Sequence, residues 1–325
     1  MGISISILGL DRLGASIGLA LGREDGHFSR RGYDPQPEKI RKAKEIKAID
    51  QPFGNLNDCV QQAQVILLAL PGKGLRQVLE EITAHLADTT LILDIASVKA
   101  ATFQWLQSMK PGLSYIALGL NTQPTQWNPS SVAPGEPNPF LFQDLPHAIA
   151  CPPGTSSKAL DLASSFVKSL GGQPFFCDLA ELEGWEATTK HLPLLLSSVL
   201  MHSAAGLPGW RDAGKLAGAD FANATGILAG MDQPLPSGKA LTLAASHLLP
   251  RLDSALDSLQ ILREAIQNGE ADKVEQLLQS ASLARETWLK DKVSGEDPQI
   301  RMPERDEFWK RQAGFLAGRK KPEGG

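Results

Sequence analysis

Cysteine is scarce in this chain: Cys59, Cys151 and Cys177 are the only three, odd in number and far apart. That spacing excludes a disulfide framework and a cysteine metal site. Buried thiols in a reducing, cytoplasmic setting are expected, with no bound metal. No stretch approaches the roughly 18 uninterrupted apolar residues of a bilayer span, so no membrane segment is expected. A positive surplus is missing as well. Lys and Arg number 32 against 36 Asp and Glu, for a net charge of −4 and a pI near 5.9. Neither nucleic acid nor an anionic membrane is an expected partner. The opening residues go straight into a strand pattern, and no signal peptide is read there. At 325 residues, 42% hydrophobic and 21% charged, the chain has an ordinary globular composition with room for two domains.

The most informative stretch is the first 34 residues. Ile3, Ile5 and Ile7 alternate with Ser4 and Ser6, which reads as a β-strand. Gly9-Leu10-Asp11-Arg12-Leu13-Gly14 follows, then a small apolar helix pattern and a second strand, Arg30 to Tyr33, ending at Asp34. Asp34 lies 20 positions after Gly14. A glycine turn after a strand, with an acid at this distance, is the dinucleotide-binding fingerprint. Gly9 permits the sharp turn and Gly14 the close packing of helix on sheet. The amides from Leu10 to Gly14, with the helix dipole, suit a pyrophosphate. Asp34 suits the ribose hydroxyls of NAD better than the phosphate of NADP. The middle glycine of the pattern is Asp11. A carboxylate about 6 Å from a phosphate costs on the order of 1–3 kcal/mol, which Arg12 or a turn of Asp11 to solvent would reduce.

Alternation of strand and helix patterns continues. Val65 to Leu70, Leu91 to Ile95 and Tyr115 to Leu118 are near-continuous apolar runs, as in parallel strands buried on both faces. Residues 50–58 read as turn, 119–139 as a long loop, and Ala148 to Cys151 and Pro174 to Cys177 as further strands. From Ala180 the patterns are helical only: Ala187 to Ala205, Ala217 to Met231, Leu241 to Gln267 and Asp272 to Trp288, with Pro193 and Pro250 expected to kink or break two of them. The expected architecture is a Rossmann-like, doubly wound parallel sheet (1–178), an all-helical substrate and dimerisation domain (179–292) and a polar tail (293–325). In the tail, Phe308, Trp309 and Phe315 suggest a short docked helix. The apolar-rich helices suit the core of a homodimer.

The ordered motifs resemble those of the prephenate dehydrogenase family. They are the glycine turn, Gly32-Tyr33-Asp34, Leu70-Pro71 at a strand end, Asp94-Ile95-Ala96-Ser97-Val98-Lys99 and His191-Leu192-Pro193. The likeness covers roughly residues 1–290. It implies NAD(P)-dependent removal of hydride from the hydroxyl-bearing ring carbon of prephenate or arogenate, with loss of the ring carboxylate, as a step of tyrosine biosynthesis. It also implies Gly9, Leu10, Arg12, Leu13, Gly14, Asp34, Leu70, Pro71 and Ser97 at the cofactor, and Ser97 and His191 as catalytic groups. Three polar groups of the family pattern are absent. Gly119-Leu120-Asn121-Thr122-Gln123-Pro124 lacks the loop histidine, Leu194 replaces the second histidine, and Phe221 to Ile227 lacks the arginine.

Ser97 reads equally as a helix N-cap, and His191 equally as a core histidine bonded to a carbonyl. Lys99 reads as a solvated helix residue, and Trp185, His202, Phe175 and Phe176 as core. Arg211, Lys215 and Lys239 are candidate substitutes for the missing arginine. A dehydrogenase with a rebuilt substrate half fits these features. So does a non-catalytic NAD-binding or dimeric interaction protein, or a prephenate dehydrogenase whose base is His191.

Overall fold

The computed structural model describes residues 2–23, 26–70, 74–97, 99–122, 135–229 and 238–294. Eight strands form one sheet: β1 (Ile3–Leu8), β2 (Phe28–Tyr33), β3 (Gln51–Pro52), β4 (Val65–Leu68), β5 (Leu91–Asp94), β6 (Ser114–Gly119), β7 (Pro146–Ala150) and β8 (Gln173–Cys177). Their order is β3-β2-β1-β4-β5-β6-β7-β8. β1 to β6 are parallel, as expected. β7 runs antiparallel to β6, and β8 pairs parallel to β7. The last two strands, for which the sequence pattern sets no direction, therefore run opposite to the first six. Strand order changes direction between β1 and β4, and the crevice for a ligand in such sheets lies outside the carboxyl ends of the strands at that switch.

Helices cross between the strands: α1 (Arg12–Leu21), α2 (Pro37–Glu45), α3 (Leu56–Val60), α4 (Leu75–Ile82), α5 (Lys99–Met109) and α6 (Ser157–Ser169). Residues 50–58 are more than a turn. They supply edge strand β3 and the start of α3, whose N-cap Asn55 accepts the Asp58 amide at 3.1 Å. The continuous runs of β4 and β5 are buried throughout, which explains why they lack alternation.

The turn from β1 to α1 requires its glycines. Gly9 has φ +103°, and a Cβ there would sit 2.5 Å from the Ala69 carbonyl oxygen. A Cβ on Gly14 would sit 2.0 Å from the Gly9 carbonyl oxygen. Both are demands of the fold itself, met before any nucleotide is considered.

After the sheet come α7 (Leu179–Glu186), a π-helical turn over Ala187–His191 and α8 (Leu192–Ala205). The break expected at Pro193 is realised as this π turn. Pro193 lies in the first turn of α8, where its missing N–H is tolerated. Next are α9 (Trp210–Ala213), α10 (Ala219–Thr225), α11 (Gly238–Leu243), α12 (Ala245–Gln267) and α13 (Ala271–Ser294). The single helix expected over Ala217–Met231 is α10 and a 3-10 turn, Gly226–Ala229. The helix expected from Leu241 is split into α11 and α12, and α12 continues through Pro250. By contacts the chain divides into two compact units, Met1–Ala245 and Ser246–Gly325. That division falls well past residue 178, where the pattern turns helical. The docked helix read at Phe308, Trp309 and Phe315 lies outside the described residues.

Trp185 is 43% exposed and His202 is exposed, so neither belongs to the core expected from sequence. Both sit on outward faces of α7 and α8, where Val199 and Leu200 are also exposed. Phe175 and Phe176 are half-buried, with the Phe175 ring 6.0 Å from that of Trp185. The three cysteines are buried and free. Among the described residues no single helix is long and apolar enough to cross a membrane.

Candidate active site

At the β1–α1 turn, Asp34 is 4% exposed and turned towards the glycine loop. One carboxylate oxygen accepts the Leu10 amide at 2.9 Å, and the other accepts the Gln36 amide at 2.9 Å. Each oxygen offers two acceptor positions, so the carboxylate keeps capacity for hydroxyl donors. Asp11 occupies the N-cap of α1 but makes no side-chain capping bond. It forms an ion pair with Lys39 of α2 instead. The carboxylate in the middle-glycine position is therefore neutralised from α2, neither by Arg12 nor by solvent alone. Arg12 Nε reaches the Glu136 carbonyl at 3.4 Å, and the Asn138 amide donates to Ser16 Oγ at 2.9 Å. The returning end of the 119–139 loop thus lies against α1. The first-turn amides of Leu13 and Gly14 have no acceptor among the described residues. Free amides, a helix start and a buried acid are a donor and acceptor set that fits a dinucleotide. Leu70 is buried at the end of β4; Pro71 lies outside the described residues.

Further along the same sheet edge, beyond β5 and β6, stands a buried charge cluster. Lys99 is 1% exposed, not the solvated helix residue its sequence position suggests. Its ammonium donates to Glu186 Oε2 at 2.6 Å and to the Ala96 carbonyl at 2.9 Å. Lys190 Nζ lies 2.8 Å from the other Glu186 oxygen and 3.4 Å from the Leu120 carbonyl. Burial alone pushes the Glu186 carboxyl up, but Lys190 and Lys99 outweigh it and hold its pKa down to about 2. Beside the cluster, Asp94 is fully buried and accepts the Ala96 amide at 2.7 Å and the Tyr115 hydroxyl at 2.8 Å. Burial raises its pKa to about 6, against the pull of Lys99.

Ser97 follows this cluster, half-buried and beyond the end of β5. The capping role open to it is filled at Ala100, whose amide donates to Glu183 Oε1 at 2.8 Å. His191 ends the π turn. It is 7% exposed, and its Nδ1 is buried without a hydrogen-bond partner. It is thus not a core histidine tied through that nitrogen to a carbonyl. Burial lowers its pKa below the ordinary imidazole value; Glu186 opposes that shift, and Lys99 and Lys190 add to it. That shift favours the neutral ring, which has a nitrogen able to accept a proton.

His147, which no motif marks, is wholly buried on β7. Its Nε2 lies 2.9 Å from the Phe142 carbonyl and its Nδ1 accepts the Asn121 amide at 3.1 Å, so both nitrogens are structurally committed. It fixes Asn121, the first polar residue of the loop that lacks the family histidine. Leu194 is buried. Arg211, Lys215 and Lys239 all stand exposed, with Lys215 paired to Asp212 at 2.6 Å, so their side chains lie on the surface.

A switched, largely parallel sheet with a glycine turn, a buried acid and a helical continuation is the architecture of dinucleotide-dependent dehydrogenases. The family model described as prephenate dehydrogenase, nucleotide-binding domain, matches residues 17–174. Its match begins within α1, so the glycine turn stands on geometry alone. A cyclohexadienyl dehydrogenase of Zymomonas mobilis is 23% identical over 283 residues, covering 86% of this chain and 94% of its own. Among solved structures, prephenate dehydrogenase from Aquifex aeolicus, in complex with hydroxyphenyl propionate and NAD+, superposes with TM-score 0.75. It is 18% identical and covers 88% of this chain and 98% of its own. Synechocystis arogenate dehydrogenase gives TM-score 0.66 at 24% identity, over 88% and 100% of the two chains. Residues 17–174 thus match the nucleotide-binding domain of the prephenate dehydrogenase family, and the chain shares the fold of the prephenate and arogenate dehydrogenases.

The charge cluster yields a stability test. Glu186→Gln leaves Lys99 buried without its counter-charge, and a loss of about 3–5 kcal/mol at neutral pH is expected in urea unfolding. The Glu186 pKa is depressed in the fold, so its contribution is complete above about 4.5 and is lost as pH falls towards about 2. The gap between wild type and variant should narrow over that window. A gap below about 1 kcal/mol at neutral pH contradicts the assignment.

Proposed function

We propose that the chain oxidises a small cyclic hydroxy acid of the prephenate or arogenate type with NAD as hydride acceptor, as a cytoplasmic enzyme of tyrosine biosynthesis. The observation that carries this reading is a buried His191, its Nδ1 without a hydrogen-bond partner, on the sheet edge that also holds the start of α1 and the Asp34 carboxylate. Gly9, Leu10, Arg12, Leu13 and Gly14 seat the pyrophosphate, and Asp34 takes the adenosine ribose. Leu70 flanks the cofactor. When bound, the nicotinamide accepts the hydride. Ser97 contacts the nicotinamide or the reacting hydroxyl, and His191 takes the hydroxyl proton as hydride leaves the same carbon. Decarboxylation then returns an electron pair to the ring, which becomes aromatic.

A homodimer through the helical region completes the reading. Val199 is 58% exposed, Leu207 65% and Leu216 88%; on α12 and α13, Leu256, Leu278 and Leu283 each exceed 60%. So many large apolar side chains facing outward favour a partner surface, and a second copy supplies the matching one.

Two measurements test these assignments. His191→Asn should lower kcat by roughly 10²–10⁴-fold on prephenate or arogenate while NADH affinity is unchanged. The wild-type rate should rise with pH through a value below the ordinary histidine pKa of 6.5 and then level off, because the base must be neutral. An unchanged kcat in the variant removes His191 from the mechanism. Sedimentation equilibrium should give twice the 34.9 kDa chain mass, and a monomer at micromolar concentration contradicts the dimer.

A further inference from the structure

The family pattern places cationic or hydrogen-bonding groups against the carboxylates of the substrate, and the sequence has lost three of them together. Among the described residues beside His191, two lysines must be weighed for that role. Lys99 is not that group: it is 1% exposed and its ammonium is committed to Glu186 and the Ala96 carbonyl. Lys190 differs. Its side chain is 35% exposed. It shares Glu186 with Lys99, which pairs the other carboxylate oxygen at 2.6 Å, so Glu186 is not given over to Lys190 alone. An ammonium has three donors. One faces Glu186 at 2.8 Å, and another makes a long 3.4 Å contact to the Leu120 carbonyl, beyond the end of β6. The third has no acceptor among the described residues.

Position reinforces the charge argument. Lys190 directly precedes His191, and both belong to the π turn that interrupts the path from α7 to α8. Isolated π turns often occur at functional sites. The Leu120 carbonyl to which Lys190 reaches adjoins Asn121, in the loop that lacks the family histidine. A half-buried ammonium with a spare donor, next to a buried imidazole whose Nδ1 has no partner, suits a ligand that carries an anion close to a proton-releasing group.

We propose that Lys190 binds a carboxylate of the substrate, taking over at the π turn the role of cationic groups this chain has lost. This deepens the dehydrogenase reading above and rests on it. The ligand class is a hydroxy acid that presents a single carboxylate at this point, with its hydroxyl turned to His191. Lys190 is a specificity-determining residue and takes no proton in the reaction.

The test uses the full chain saturated with NAD+, titrated calorimetrically with hydroxyphenylpropionate and with its methyl ester. NADH binding is followed separately by fluorescence. Wild type should bind the acid at least about tenfold more tightly than the ester, the scale of one charge-assisted hydrogen bond. Lys190→Gln should bring that ratio close to one, and Lys190→Arg should restore most of it. NADH affinity should stay within about twofold in all three proteins, because the cofactor end is untouched. A Lys190→Gln protein that keeps the acid preference overturns the proposal, as does a wild type that shows none; with NADH still bound, the dehydrogenase reading survives either result. A wild type that fails to bind NADH removes that reading, and this proposal with it.

Discussion

A lysine ammonium buried to 1% exposure has to meet a carboxylate, and in this fold Lys99 meets Glu186. The partners lie 87 residues apart, one opening the helix after β5, the other closing the first helix beyond the sheet. An unpaired buried charge costs several kcal/mol, so the pair allows little freedom in how α7 sits on the carboxyl edge of β5. The bond from the Ala100 amide to Glu183, one turn earlier on α7, fixes the same contact a second time. The next segment of chain inherits that placement. The π turn begins at the residue after Glu186, and it delivers Lys190 and His191 to the edge where strand ends and ligands meet. Pro193 then starts α8 without requiring a donor it lacks.

The cofactor end obeys a parallel rule of charge compensation. Asp11 stands where a glycine would let the backbone come closest to a phosphate, and an uncompensated carboxylate there would repel it. Lys39, from the next crossover helix, neutralises it. Asp34 is buried, and two backbone amides orient it while leaving acceptor positions open. In both halves of the site an acid is tolerated because a lysine from a different helix answers it. In each cluster the lysine comes from a helix other than the one that carries the acid.

Much of the architecture was legible because it is written locally. The β1–α1 turn, the unalternating runs of β4 and β5 and the change to helices after Cys177 follow from composition and spacing alone. The reversal of β7 and β8 was not, since an apolar strand carries no mark of its direction. Nor was the role of Lys99: its neighbours in sequence give no sign of Glu186, and a lysine at the start of a helix is usually solvated. Trp185 and His202 misled for the opposite reason. They are the residue types of a core, but they lie on helix faces that this chain by itself leaves uncovered. The absence of the family histidine and arginine could be read directly, whereas the substitute cation could not. Lys190 gains its meaning only from a carboxylate shared with Lys99 and a carbonyl 70 residues away.

All of the chemistry presupposes that the amides after β1 and the acid after β2 hold an adenine dinucleotide without a ribose phosphate. Competitive titration of NADH and NADPH against the full chain measures that directly. NADH should bind at least about tenfold more tightly, because a buried carboxylate at Asp34 would accept ribose hydroxyls and repel a phosphate in their place. Equal affinity for the two, or no binding of either at millimolar concentration, would contradict it.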